Sequence, residues 1–211
     1  NTLKEDLDKR IFLGFGGVSE YGITVRWDKN FLKVVYLTLA RRKHFKVYDG
    51  IRFGGTIEID DVWNLGLDHI AITTGAGKPT IVKIKNNLIR GIRKASDFLM
   101  SLQLTGAAKK DSLANLMLQL PAIVIGGGLT AIDTTTEAFA YYPVQVEKFL
   151  ERYEVSVKEF GEEAILAMYD DEEKAIAKTF LDHGKKIRAE RKRASEAGEE
   201  PDFVPYVRKW G

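Results

Sequence analysis

The sequence predicts an α/β fold, and three features of the chain predict it. Residues 11–60 are rich in glycine, aromatic and β-branched residues, and they predict short strands such as residues 23–27. Two near-continuous apolar runs, residues 69–73 and 120–125, each end in glycine-rich sequence. Strands of a parallel sheet have this character when both of their faces are buried. After Pro143, helical spacing of apolar residues dominates. We therefore expect a β-rich amino-terminal part and a mainly helical carboxy-terminal part.

The amino-terminal half alternates between strand-like segments and turns. Residues 31–39 fit either a strand or a helix. An Asp-Gly turn predicts a hairpin over residues 46–53, and residues 56–59 predict a further strand. Apolar residues over 92–104 follow helical spacing, and Gly106 is placed to end that helix.

The carboxy-terminal half predicts helices. One helix should follow the glycines after residue 125 and end at Tyr142, because Pro143 disfavours helical geometry in the residue before it. Helical spacing resumes over residues 146–160. Residues 164–183 predict another helix that is broken at Asp170, which with Glu173 can form an amino-terminal cap.

Composition excludes several classes of protein. The 211 residues are 45% hydrophobic, which is enough for a real core, and the net charge of +2 does not favour nucleic-acid binding. The chain has no cysteine for a thiolate metal site, and its three histidines lie far apart, so we expect no metal site. No apolar run has the ~18 residues of a membrane span. We expect a cytoplasmic protein.

The clearest chemical motif is a Gly-x-Gly-x-x-Ala turn between the strand predicted at 120–125 and the helix that follows it. Gly126 permits a tight turn, Gly128 lets a pyrophosphate approach the backbone, and Ala131 lets the helix pack close to the strand. The helix N-terminus supplies free N–H groups and partial positive charge. The alternative is a turn that binds nothing. The candidate cofactor-binding residues are Gly126, Gly127, Gly128, Leu129, Thr130 and Ala131.

Three stretches, residues 68–79, 91–99 and 122–133, carry a family resemblance. They match, in order and spacing, an "ATGA…P" strand end, a "GV…A.DFL" helix and a "VVIGGGNTAMD" turn. With these motifs the chain resembles the small (beta) subunit of glutamate synthase and its relatives, which are FAD- and NADPH-binding oxidoreductases of the pyridine nucleotide–disulfide oxidoreductase superfamily.

The resemblance implies partial Rossmann-like dinucleotide-binding domains. Residues 1–110 would be part of an FAD-binding domain with its crossover, and residues 111–211 the start of an NAD(P)-binding domain with a helical insertion. It implies FAD at Thr74, Gly75, Ala76 and Gly77, and NADP or NAD at residues 126–131. The implied activity is hydride transfer from NAD(P)H to flavin, with no catalytic side chain. The chain would be an inactive central fragment, whose partner is the rest of a longer flavoprotein or a separate electron-accepting subunit.

Two departures from the family leave a second hypothesis open. The first FAD fingerprint is absent, and a helical insertion replaces the second strand of the NAD(P) domain. The alternative is a non-catalytic nucleotide-fold interaction module, in which the helical segment 145–198 docks a partner. The identity of the pyridine nucleotide, the electron acceptor and the oligomeric state stay open.

Overall fold

The computed structural model describes residues 31–73 and 80–211. The chain divides into two compact units, of which one covers residues 31–92 and the other contains residues 93–211. The strand predicted at residues 23–27 lies outside the described residues.

The unit of residues 31–92 has little regular structure. Its helices are α1 (Phe31–Ala40) and α2 (Ile59–Asn64). The Asp61 carboxylate accepts a hydrogen bond from the Glu58 N–H at the start of α2, at 2.8 Å. No described side chain of this unit is buried.

The unit of residues 93–211 is helical, and its longest helix lies at its centre. The helices are α3 (Ala95–Leu104), α4 (Leu129–Phe160), α5 (Glu162–Ala167), α6 (Asp171–Ala197) and α7 (Val204–Trp210). Helix α4 packs against α3, α5, α6 and α7. Among the helices of residues 31–73 and 80–211, none has the length and apolar character needed to cross a membrane.

Two apolar clusters form the core on either side of α4. The first joins α4 to α3 and to the chain that follows α3, through Phe98, Leu99, Leu102, Ala107, Ala108 and Tyr141. The second joins α4 to α6 through Tyr142, Val146, Phe180 and Ile187, with Trp210 of α7 packed against it. Because adjacent tyrosines on α4 face opposite clusters, this helix connects the two halves of the core.

Helices α4 and α6 are antiparallel, and their surface ion pairs show the register. Arg188 contacts Glu154 at 2.8 Å, while Arg191, farther along α6, contacts Glu147, which is earlier on α4. These side chains are partly exposed, so each pair contributes little to stability. Apolar burial between the helices therefore supplies most of the stabilisation.

The turn between α5 and α6 has the predicted cap. The Asp170 carboxylate accepts from the Glu173 N–H at 2.8 Å, and the Glu173 carboxylate accepts from the Asp170 N–H at 3.0 Å. This reciprocal pair satisfies two donors at the start of α6. At the other end Gly198, with φ of 68°, closes α6 in the left-handed conformation that favours glycine.

The predicted α/β fold class is wrong for the described part of the chain. No β-strand forms in residues 31–73 and 80–211; the one isolated bridge there joins Phe53 and Ile57. The predicted hairpin over 46–53 and the strand over 56–59 are absent, and the runs at 69–73 and 120–125 are not strands. A strand needs a backbone partner as well as an apolar pattern, and the pattern alone does not supply one. The β-rich amino-terminal part and the partial Rossmann-like domains are therefore not observed.

The predicted helix end before Pro143 is also wrong, because α4 continues through Pro143 to Phe160. A proline inside a helix costs about 3 kcal/mol through a lost hydrogen bond and a steric clash. Pro143 and its neighbours Tyr141, Tyr142 and Val146 are buried. Burial of several large side chains at roughly 1.5–3 kcal/mol each offsets that cost. The helix prediction over residues 92–104 is confirmed by α3, and residues 31–39, for which the sequence left strand and helix open, belong to helix α1.

Gly184 sets the closest approach of α6 to α4. A Cβ at Gly184 would lie 2.6 Å from the Val146 carbonyl oxygen and 3.0 Å from the Leu150 Cβ. A carbonyl oxygen of a packed helix cannot move away without shifting the helix, so the two helices would have to separate.

We expect Gly184→Ala to lower the free energy of unfolding by about 2 kcal/mol. Overpacking typically costs about 1–3 kcal/mol, and the better helix propensity of alanine returns up to about 1 kcal/mol. Urea denaturation followed by circular dichroism measures the change. Gly127→Ala is the matched control, because a Cβ there meets nothing within 4 Å. Equal stability of the two variants would contradict this packing.

Candidate functional site

The glycine turn before α4 is open on one side. Gly126 has a φ of 146°, and a Cβ built there would lie 3.2 Å from the Ala131 Cβ, whereas a Cβ at Gly127 or Gly128 meets nothing within 4 Å. The chain therefore needs glycine at position 126 for the turn, and it leaves space beside the next two residues.

The amino end of α4 carries a row of unused backbone donors. The first hydrogen bonds run from the N–H groups of Ala131 and Ile132 to the Gly128 carbonyl, at 3.0 and 3.2 Å. In the described part of the chain, the N–H groups of residues 127–130 have no acceptor, and Gly128 has no side chain to cap them. Four donors and the positive end of a 32-residue helix therefore face the same region.

The residues predicted to bind FAD, Thr74, Gly75, Ala76 and Gly77, lie outside the described residues. The residues predicted to bind the pyridine nucleotide, 126–131, all lie at the amino end of α4. Both sets stay predictions.

The segment that leads into this turn is apolar and exposed. We define residues 122–129 as the arm. Ile123 is 88% exposed, Ile125 is 69% exposed and Leu129 is 75% exposed. A single exposed aliphatic residue is ordinary, but three within seven residues, two in the extended segment and one at the start of α4, form an apolar patch.

The chain between α3 and the arm is held by side chains of α4. We define residues 107–120 as the strap. The Tyr141 hydroxyl accepts a hydrogen bond from the Leu116 N–H at 3.1 Å. The Gln145 amide bonds both backbone groups of Leu118: its oxygen accepts from the N–H at 2.7 Å, and its nitrogen donates to the carbonyl at 2.8 Å. Burial raises the pKa of Tyr141 to about 12, so this hydroxyl stays neutral.

A buried lysine holds the start of the strap. Lys148 Nζ donates to the carbonyl oxygens of Ala107, Lys109 and Ser112 at 2.9, 2.8 and 3.2 Å. One helical turn later Arg152 also donates to the Ser112 carbonyl. These carbonyl dipoles replace the water that the ammonium group loses on burial.

Sequence reasoning missed this set of polar residues, although the pattern was visible. Tyr141, Gln145, Lys148 and Arg152 recur at intervals of three and four residues, so a continuous helix places them on one face. The expected helix end at Pro143 separated Tyr141 from the other three. A polar stripe beside the apolar positions of a helix would have indicated a backbone or ligand next to it.

An aromatic cluster fixes α7 to α6 and α4. The Tyr142 hydroxyl and His183 Nδ1 share a 2.7 Å hydrogen bond, and the His183 ring stacks on Trp210 with 3.7 Å between ring centroids. Burial raises the pKa of Tyr142 and lowers the pKa of His183. Both groups are therefore neutral near pH 7, so the contact holds α7 in place, with Trp210 packed against the second apolar cluster.

The part of the chain that the structure describes contains no cluster of three or more His, Asp or Glu residues arranged to hold a metal ion. His69, which the sequence placed in a buried strand, is exposed.

Comparison with known proteins finds a relative in Rickettsia prowazekii. Over 182 residues, 86% of this chain, the sequence is 45% identical to "Uncharacterized protein RP006" of Rickettsia prowazekii (strain Madrid E). The chain spans only 24% of that protein's length. No protein-family model matches the chain. No solved structure matches it either.

These findings overturn the resemblance to the glutamate synthase small subunit. The described residues form helices without strands, and the matched relative is described only as uncharacterized. The assignment to that family of flavoprotein oxidoreductases is therefore wrong, whereas hydride transfer and cofactor binding, which these findings do not test, stay predictions. Short glycine and apolar motifs encode local turns and burial, whereas a dinucleotide-binding domain also needs paired strands around them.

We expect Gln145→Leu to lower the free energy of unfolding by about 1–3 kcal/mol, because it leaves the N–H and carbonyl of Leu118 unpaired beside a buried side chain. Gln119→Leu is the control, since Gln119 is exposed on the strap. Chemical denaturation compares both variants with the wild type. If the two substitutions cost the same, the amide clamp contributes nothing to stability.

Proposed function

We propose that residues 93–211 form an interaction module that binds another segment of a longer protein through the arm, residues 122–129. The observation that carries the proposal is the exposure of three large aliphatic side chains there, Ile123, Ile125 and Leu129. Covering each such side chain contributes roughly 1.5–3 kcal/mol, so the arm has a strong tendency to be covered.

The comparison supports a segment of a longer protein as the partner that covers the arm. Most of this chain matches a relative of which it spans only 24%. In that relative, most of the polypeptide lies beyond the matched region and must pack beside it or be linked to it. An apolar arm at the surface of the matched region is a suitable contact for such a neighbour.

Helices α4 and α6 support this surface. Their own apolar residues, Val146, Phe180 and Ile187 among them, are already buried against each other. The helical pair therefore has little apolar surface of its own to offer at its centre. It provides a rigid base, and the arm provides the contact, which refines the expectation that segment 145–198 itself docks the partner.

We expect the double variant Ile123→Asp, Ile125→Asp to lose binding while it keeps the stability of the isolated chain. Both side chains are exposed, so charges there are harmless until a partner covers them. The probe is the R. prowazekii relative with its matched region deleted, produced in the same cells as the tagged 211-residue chain. Co-purification measures capture, and thermal unfolding measures stability.

Val155→Asp serves as control, because Val155 is also exposed but lies in the second half of α4. It should leave capture unchanged. Wild-type chain that captures nothing, or an arm variant that captures as well as wild type, would refute the proposal.

A second candidate function is phosphate binding at the glycine turn. The observation that favours it is the row of N–H groups at residues 127–130 without an acceptor, at the positive end of α4. Backbone donors at a helix N-terminus suit the phosphate groups of a nucleotide such as NADP or NAD. This candidate needs no sheet and no flavin.

We expect NADPH to bind the 211-residue chain and Gly128→Trp to weaken it at least about tenfold, since an indole would fill the space beside the free N–H groups. Isothermal titration calorimetry with NADPH and with pyrophosphate measures both. Ser195→Trp adds the same ring at an exposed position of α6 and should change nothing. No binding of either ligand would exclude the phosphate site.

A further inference from the structure

The strap has one occupied and one open hydrogen-bonding edge. We infer that its open edge accepts a β-strand from the rest of the longer protein. This inference rests on the proposed function, and it names the contact: backbone pairing along residues 113–119, beside the apolar arm.

Side chains of the strap alternate as those of a β-strand do. Ser112, Ala114, Leu116, Leu118 and Leu120 are partly buried, and the last four are packed toward α4, while the residues between them are exposed. Leu113, for example, is 92% exposed. A period of two over nine residues is the geometry of an extended strand lying flat on a helix.

In such a strand, the N–H and carbonyl of one residue point to one edge, and those of the next residue point to the opposite edge. The even-numbered residues use one edge. Leu116 and Leu118 bond to Tyr141 and Gln145, and the Ser112 carbonyl accepts from Lys148 and Arg152. Helix α4 thus takes the place of a neighbouring strand on that edge.

The odd-numbered residues face the other edge. Within the described part of the chain, the backbone groups of Leu113, Asn115, Met117 and Gln119 make no hydrogen bond. A row of unpaired donors and acceptors at a strand edge is the template for strand addition. Because α4 holds the strap along its length, little conformational entropy is lost when a strand joins it.

The length of the matched relative supports a segment of a longer protein as the occupant. Its polypeptide extends well beyond the region that this chain matches, since the chain spans 24% of it. The arm directly follows the strap, so one extended segment with alternating apolar residues can pair with residues 113–119 and cover Ile123 and Ile125 together. A second copy of this chain is the competing occupant.

Proline substitution tests backbone pairing without changing the core. Asn115→Pro removes one outward N–H, and we expect it to abolish capture of the R. prowazekii relative that lacks its matched region. Asn115→Ala keeps the N–H and should keep capture. Since the Asn115 side chain is exposed and its N–H is unbonded here, the melting temperature of the isolated chain should not change for either variant.

Hydrogen exchange on the co-purified wild-type complex gives a second readout that needs no variant. The amides of residues 113, 115, 117 and 119 should become protected on binding, while those of 116 and 118 are protected already. Should Asn115→Pro unfold the chain, Met117→Pro removes another outward N–H and takes its place.

The outcomes separate this inference from the proposed function. Capture that is lost in the arm variant but kept in Asn115→Pro, with no new amide protection, overturns strand addition and leaves the proposed function standing. Failure of the wild-type chain to be captured overturns both. If light scattering shows a dimer of the chain that Asn115→Pro dissociates, the occupant is a second copy and the assignment to the longer protein is wrong.

Discussion

The unit of residues 93–211 depends on the hydrogen bonds that α4 side chains make to the backbone of the strap. An extended segment packed on a helix leaves peptide groups that neither element can satisfy internally, and each unpaired buried group costs about 1–3 kcal/mol. The Gln145 side-chain amide bonds both the N–H and the carbonyl of Leu118. The Lys148 ammonium group donates to three backbone carbonyls at the start of the strap. Because those bonds hold the strap on α4, leucines of the strap can complete both apolar clusters.

The same helix then links three surfaces. Its amino end carries the free N–H groups, its middle holds the strap on one side, and its other side packs against α6, where Gly184 permits close approach. A helix end at Pro143, as the sequence predicts, would divide α4 into two shorter helices and place these surfaces on different elements. Continuity through Pro143 instead makes them one rigid body, and the buried neighbours Tyr141 and Tyr142, one in each cluster, supply the energy that makes continuity favourable.

The sequence predicts a feature correctly when that feature depends only on residues that are close together in the chain. The cap at Asp170 and Glu173 and the periodic helix α3 depend on a few neighbouring residues, and both predictions are confirmed. The strands at 46–53 and 120–125 depend on partners that no local pattern specifies, and those predictions are wrong in the described part of the chain. The glycine turn lies between these cases: it does precede a helix, as the motif requires, but the segment before it pairs with no strand among residues 31–73 and 80–211. The site at 126–131 therefore keeps its local geometry without the sheet that would identify a dinucleotide-binding domain.

The apolar run at 120–125 led to the prediction of a buried strand, and its exposure in the structure explains both the error and the proposed contact. Exposure of such a run to water is unfavourable, since Ile123 and Ile125 keep most of their apolar surface in contact with solvent. The strap that precedes it is already strand-like, with one edge satisfied by α4 and the other open. An added strand would satisfy the open edge and cover the isoleucines in the same step, so the two features favour one occupant rather than two. The open edge of the strap and the apolar character of the arm are then accounted for by a single proposed contact, which neither the helical core nor the glycine turn requires.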